Sequence, residues 1–194
     1  MSPSGDFSRV RDRLAALPPR RVEPLPGQDQ AAVALILAPE ARGDPAILFI
    51  KRAEHEADPW SGHLALPGGR RYREDPDLRA TAVRETAEEV GIALPPEALL
   101  GELDDLSPVS PHLPQVMVRP FVFGLMSQPP VFPSAEVALH LWVPRDVLAA
   151  AATTETLHLL GQPREVTGYR VGPHFIWGMT ERIIVPFMRL LSTI

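Results

Sequence analysis

Residues 68–92 read GGRRYREDPDLRATAVRETAEEVGI, and no other stretch of the chain restricts its fold and chemistry so much. On a helix, Glu85, Glu88 and Glu89 fall at i, i+3 and i+4, so the three carboxylates share one face. They lie just before Gly91, a natural helix stop, where negative charge opposes the helix dipole. Carboxylates crowded at that end repel one another unless a cation joins them. Oxygen-only ligands select a hard cation, so Mg²⁺ or Mn²⁺ is expected. A run of this kind also describes an ordinary solvated helix face. The flanks favour the cation: a Gly-Gly turn precedes the helix, Arg84 adjoins the carboxylates, and a glycine follows.

The run resembles the Nudix box: Gly, five residues, Glu, seven residues, Arg-Glu, an aliphatic, any residue, Glu-Glu, any residue, Gly, an aliphatic. Residues 84–92 follow it closely, with Thr86 in place of the aliphatic. Gly69 to Arg84 is one residue longer than the general pattern, and Asp75 stands near the first Glu. In both respects the chain is similar to the coenzyme A diphosphatase branch of that family. The resemblance covers roughly residues 30–190 and implies an α/β fold, an α/β/α sandwich with a mixed sheet between helices.

The rest of the chain is read without that help. A length of 194 residues suits one domain with a sizeable core. The division expected is an N-terminal helix and Pro-rich connector over 1–29, then the catalytic domain over 30–194. No run is long enough to span a membrane, and the N-terminus lacks an apolar signal segment, so the cytoplasm is the expected compartment. Zero cysteines exclude disulfides, thiolate zinc sites and a Cys nucleophile. The net charge of −5 argues against nucleic-acid binding. The 23 prolines cluster around 18–26, 107–114 and 129–133 and read as stiff loops.

Periodicity predicts a helix over 6–17 capped by Asp6, and strands over 31–38, 46–52, 64–66, 99–106, 116–125 and 137–143. Pro120 suggests an edge strand or a bulge. The box helix is expected over 77–90. A helix over 144–152, a hairpin of 166–171 and 175–177 around Gly172-Pro173, and a closing helix over 179–191 follow. Interleaved strands and helices fit a mixed sheet held between helices. Whether the first helix mediates a homodimer stays open.

The resemblance also implies a site. The family cleaves a nucleoside diphosphate linked to another group. Glu88 and Glu89 are expected as principal metal ligands, with Glu85 as a third ligand or the base. The Gly68 or Gly69 carbonyl would complete a shell, and Arg84 would pair with a box carboxylate. Glu136 is the expected further carboxylate; Glu102, Asp104 and Asp105 are weaker candidates. Asp75 either supports the site residues from behind or is a turn residue, and the turn is preferred.

Upstream, residues 48–69 resemble the coenzyme A branch at Arg52, Gly62 and Leu66, although Asp58 stands where that branch has an Arg. Trp60 either stacks on a base or wedges its loop onto the body. Arg70, Arg71 and Arg73 either meet phosphates or lie in a solvated turn. The run 176–180 also resembles the branch, though it reads better as a helix start with Thr180 as cap and Trp177 as core. The histidines show no ligand spacing, and neither a G-x-S-x-G nucleophile motif nor a Walker-type loop occurs.

The expected activity is therefore Mg²⁺- or Mn²⁺-dependent hydrolysis of a small nucleotide, with coenzyme A or its thioesters leading. ADP-ribose, dinucleotide polyphosphates and nucleoside triphosphates are alternatives within the class. A noncatalytic nucleotide sensor is the alternative outside it.

Overall fold

A computed structural model describes residues 3–40, 44–55, 60–108, 113–159 and 161–192. Helix α1 (Pro3–Ala16) is followed by the Pro-rich connector and by strands β1 (Asp29–Pro39), β2 (Pro45–Arg52), β3 (Leu64–Ala65) and β4 (Gly68–Arg70). Helix α2 (Leu78–Val90), a 3-10 turn (Pro96–Ala98), β5 (Leu99–Glu102), β6 (Val116–Gly124), β7 (Val137–Pro144) and α3 (Arg145–Ala150) come next. The chain closes with β8 (Ala152–Leu159), β9 (Gln162–Val171), β10 (His174–Ile176) and α4 (Gly178–Leu191).

The main sheet is mixed: β1 runs parallel to β6 and antiparallel to β2 and β4. Its two faces are read off the alternation in β1 and β2. Leu35, Leu37, Ile47 and Phe49 join the larger core with Phe7, Val10 and Leu14 of α1, Leu148 of α3, and Ile183 and Phe187 of α4. Ala34, Ile36, Leu48 and Ile50 face the other way, onto Leu78, Ala82 and Val90 of α2. The expected α/β/α layering is the architecture observed.

One detail of the sheet makes the site. β1 pairs with β2 only at its far end, Leu37 to Pro39. Nearer its start it pairs with β4 at Ala31 to Val33, while β2 pairs with β3 at Ile50 and Lys51. The strands β1 and β2 thus splay, and the segment from β3 to β4 crosses the split. The Ala34 N–H donates to the Pro67 carbonyl at 2.8 Å within it. This seats the Gly68-Gly69 turn beside α2.

Several expectations are corrected. The first helix begins at Pro3, so Asp6 lies inside it and does not cap it. β5 ends at Glu102, short of Leu106, which makes only an isolated bridge to Val118. Pro120 lies within β6, which β1 and β5 flank, so it is not on an edge. Its carbonyl accepts from the Leu103 N–H at 3.0 Å, where β5 has already left regular pairing, so no ladder N–H is missed there. The helix α3 stops at Ala150, and β8, which the sequence reading leaves unassigned, pairs with β9 in a separate sheet with β10. Thr180 does not cap α4; its hydroxyl donates to the Leu64 carbonyl at 3.1 Å and ties that helix to β3.

Candidate active site

Helix α2 is punctuated at both ends. The Asp77 carboxylate accepts from the Ala80 N–H at its start, and Gly91 at φ 71° ends it in the left-handed region. Thr86 replaces an aliphatic without loss of packing. It is fully buried, and its hydroxyl donates to the Ala82 carbonyl at 2.7 Å. The last carbonyls of the helix are used by the chain before β7: the Phe132 N–H donates to Val90 O and the Ser134 N–H to Glu89 O. That docking brings Glu136 close enough for its charge to act on both Glu85 and Glu89.

The three glutamates occupy graded environments. The Glu88 side chain is 55% exposed and that of Glu85 13%. Glu89 is buried, and its Oε2 accepts from the Gly68 N–H at 2.8 Å. Burial, reinforced by the charges of Glu85 and Glu136, pushes the Glu89 carboxyl up to about 7 despite that hydrogen bond and the field of Arg52. Burial also raises Glu85, against the pull of Arg84 and with the help of Glu88 and Glu136.

The glycines are required by this packing. Gly68 has φ 151°, and a side chain there would run into the Ala32 carbonyl oxygen. A Cβ at Gly69 would stand 2.5 Å from the carboxyl carbon of Glu85.

Arg84 organises the polar face of the helix. Its bidentate partner is Asp75, through Nε to Oδ1 at 3.0 Å and Nη2 to Oδ2 at 2.9 Å. Its Nη1 donates singly to Glu85 Oε1 at 2.8 Å and Glu88 Oε2 at 2.9 Å. Asp75 also accepts from the Tyr72 N–H and the Thr81 hydroxyl, so it both forms the expected turn and holds Arg84. The Arg84 hydrogen bonds hold the buried Asp75 carboxyl well below the usual range.

Of the other residues singled out in the sequence, Arg70 pairs with Asp29 at 3.0 Å, and Arg71 donates to the carbonyls of Asp75 and Pro76. Trp60 is half-buried and packs against the larger core. Arg52 is half-buried at the end of β2, and Trp177 tilts against His63 with ring centroids 4.9 Å apart. Asp58 lies outside the described residues. Glu102, Asp104 and Asp105 do not approach the box; they pair with Arg21, Arg20 and Arg119 and fasten the connector to the domain. The sequence reading overlooked Tyr72, whose ring lies 4.0 Å from the Arg84 guanidinium carbon. An aromatic residue three before Asp75 was its one visible sign.

The donors fit a hard divalent ion chemically. They are all oxygen, and the buried negative charge exceeds the cationic charge beside it. Among the described residues, however, no three carboxylate or histidine groups already converge as a cation cage. Arg84 stands between Glu85 and Glu88, and Glu89 is turned onto Gly68.

Comparison with known proteins bears on the same elements. Residues 28–160 match the family model described as the NUDIX domain. An uncharacterized Nudix hydrolase named NudL from Photorhabdus laumondii subsp. laumondii is 32% identical over 174 residues, which cover 86% of this chain and 86% of that protein. An uncharacterized protein of Schizosaccharomyces pombe is 40% identical over 105 residues, 52% of this chain and 32% of that protein, so the match spans about a third of its length.

Among solved structures, a MutT/nudix family protein from Enterococcus faecalis superposes with a TM-score of 0.62 at 18% identity, covering 90% of this chain and 66% of that one. The NUDIX domain of Shewanella oneidensis NrtR, complexed with ADP ribose, gives 0.53 at 22% identity, covering 66% and 82%. At these identities the structural likeness concerns the fold. No helix among the described residues is long and apolar enough to cross a membrane. With a family model matched over most of its length and a relative 32% identical over 86% of this chain, the chain belongs to the Nudix hydrolase family.

Proposed function

We propose that this protein is a Mg²⁺- or Mn²⁺-dependent hydrolase that cleaves the diphosphate of a nucleoside diphosphate derivative, with coenzyme A or its thioesters as the leading substrate. The observation that carries the reading is the surplus of carboxylates over cations in the box: Glu85 and Glu88 share Arg84, and the buried Glu89 beside them rests on the Gly68 N–H. Glu88 and Glu89 would hold the ion, with Glu85 as a further ligand or the base and the Gly69 carbonyl beside them. When bound, a divalent ion neutralises the pyrophosphate and acidifies a water molecule.

The residues of the chain do the rest. Arg84 holds Glu85 and Glu88 in place. Glu136, whose charge reaches both Glu85 and Glu89, is proposed as the further carboxylate of the site. Arg52, Trp60 and Arg70 are the proposed substrate contacts. Water attacks phosphorus and a phosphate ester leaves; from coenzyme A the products are an adenosine bisphosphate and a phosphopantetheine-type ester.

Support for coenzyme A comes from the longer Gly69–Arg84 spacing and the segment from Arg52 to the Gly-Gly turn. Asp58 favours a second reading. An acid in place of a base would repel the 3′-phosphate and shift preference to dephospho-coenzyme A or ADP-ribose. Comparing kcat/KM for coenzyme A, dephospho-coenzyme A and ADP-ribose at one Mg²⁺ concentration separates them. Highest kcat/KM on coenzyme A is expected. Brisk ADP-ribose hydrolysis without coenzyme A cleavage rejects the leading substrate and keeps the metal chemistry. Failure on every nucleotide diphosphate at millimolar Mg²⁺ and Mn²⁺ rejects the hydrolase reading for a nucleotide sensor.

A further inference from the structure

A guanidinium offers five N–H bonds in one plane and two flat faces. Arg84 uses all five. Nε and one Nη2 hydrogen go to the two oxygens of Asp75, the other Nη2 hydrogen goes to the Arg70 carbonyl at 3.1 Å, and the Nη1 pair goes to Glu85 and Glu88. One face is covered by the Tyr72 ring at 4.0 Å. We propose that Tyr72 is a positioning residue for the metal-binding carboxylates: its ring sets the plane of Arg84, and that plane sets where Glu85 and Glu88 are held. The inference rests on the hydrolase reading above.

The geometry explains why a ring is needed. The five hydrogen bonds lie near the plane of the guanidinium and resist rocking out of that plane only weakly. Rocking would swing Nη1, and with it Glu85 Oε1 and Glu88 Oε2. The Tyr72 ring, with the guanidinium carbon 4.0 Å over its centre, opposes that motion. The ring and the carboxylate arrive as one unit. The Tyr72 N–H donates to Asp75 Oδ2 at 2.9 Å, and the Asp75 N–H donates to the Tyr72 carbonyl at 3.2 Å.

Arg84 takes a single oxygen from each glutamate. Each glutamate thus keeps one oxygen that Arg84 does not bind. The Tyr72 hydroxyl makes no hydrogen bond among the described residues, so the function belongs to the ring. At 54% exposure, Tyr72 contributes little to the core.

The test uses the full chain in three forms: wild type, Tyr72→Phe and Tyr72→Leu. Leucine keeps bulk and loses the aromatic face. Two quantities are read in each. One is the ¹⁵Nε–¹Hε resonance of Arg84, assigned by its loss in Arg84→Lys; the other is the Mn²⁺ dissociation constant by calorimetry. Tyr72→Leu is expected to lose the ring-current shift of that proton and speed its exchange with water. It should also weaken Mn²⁺ binding roughly 3- to 10-fold, the range of a partly exposed cation–π contact. Tyr72→Phe should match wild type in both, and the urea midpoint should agree in all three.

Wild-type Mn²⁺ affinity in Tyr72→Leu overturns the inference and leaves the hydrolase reading standing. So does Tyr72→Phe as weak as Tyr72→Leu. A wild-type chain that binds no Mn²⁺ overturns the metal reading and this inference together.

Discussion

Two acid–arginine clusters lie on this domain, and they do opposite things. In the connector cluster, Glu102, Asp104 and Asp105 meet Arg20, Arg21 and Arg119. Carboxylates and guanidiniums match one for one. Burial pushes Asp105 up, yet hydrogen bonds from Arg119 and the Val22 N–H, with the charges of Arg119 and Arg21, hold it below its ordinary value. In the box cluster, Asp75, Glu85, Glu88 and Glu89 share the direct contacts of Arg84 and the Gly68 N–H. Adding the fields of Arg52 and Glu136 leaves the surplus negative. Here Asp75 is held low while Glu85 and Glu89 are raised. A balanced cluster is a latch; an unbalanced one calls for a cation from outside.

Removing one charge from each cluster separates the two roles. Glu89→Gln is expected to cut metal-dependent turnover on the order of 10²-fold or more, because a ligand that stabilises transition-state charge is lost. Its amide oxygen can still accept from the Gly68 N–H, so the fold should survive. Steady-state kinetics at saturating Mg²⁺ with a parallel urea titration check this, and near-wild-type turnover sinks the assignment of Glu89.

Asp105→Asn should do the reverse. The Asp105 side chain is 0% exposed and receives Arg119 through both oxygens. Neutralising it leaves the half-buried Arg119 without its carboxylate, while Arg21 keeps Glu102, at a cost of about 2–4 kcal/mol of stability, with kcat of the folded protein unchanged. A urea midpoint equal to wild type would show that the latch contributes nothing. A large fall in kcat would show that the clusters are coupled.

These two sites also mark what the sequence disclosed. The i, i+3, i+4 glutamates, Arg84 and the terminal Gly91 are local, so helix geometry alone placed them on one face. The apolar runs of strand length at 31–38 and 46–52 likewise placed β1 and β2. Asp105 was not legible in the same way. An acidic triplet after a strand resembles a metal-binding group, and its true partners are Arg20 and Arg21, more than eighty positions away, and Arg119 on the neighbouring strand β6. β8 escaped because ATTETLHL pairs only with β9 and buries little of itself, leaving a weak alternation. Thr180 was misread because its partner, the Leu64 carbonyl, belongs to another element. Local periodicity carries the elements; long-range pairing carries the corrections.

The pH dependence of stability without metal sharpens the comparison further. Glu89 has a folded value of about 7 against 4.5 for the free group, so between those values the folded state holds the extra proton. Stability therefore falls as pH rises through that window, by about 2 kcal/mol after allowance for relaxation. Asp75 acts in the opposite sense. Its depressed value gives stability that is present above the ordinary aspartate range and lost as pH falls through the folded value. Urea titrations in EDTA from pH 4 to 8 should peak near pH 5. Millimolar Mn²⁺ should lift the neutral-pH limb, since an ion that binds only the native state stabilises it by mass action. A flat profile, or one rising to pH 8 in EDTA, would mean that Glu89 does not titrate as an isolated buried acid.

The smallest effect is expected at the rim of the balanced cluster. The Arg20 side chain is 89% exposed, and its Asp104 partner is 43% exposed. Water screens such a pair, and ordering a long side chain offsets much of its Coulomb attraction. The connector is also held by the Arg20 N–H on Asp104 and the Val22 N–H on Asp105, which a side-chain truncation leaves in place. Arg20→Ala should therefore lower stability by less than about 1 kcal/mol, and less still in 0.5 M salt, with no change in kcat. A cycle combining Arg20→Ala with Asp104→Asn measures the pair alone. A coupling above about 1.5 kcal/mol would show that the latch acts as one network out to its exposed rim, and the contrast with the box cluster would then rest on its charge balance rather than on burial.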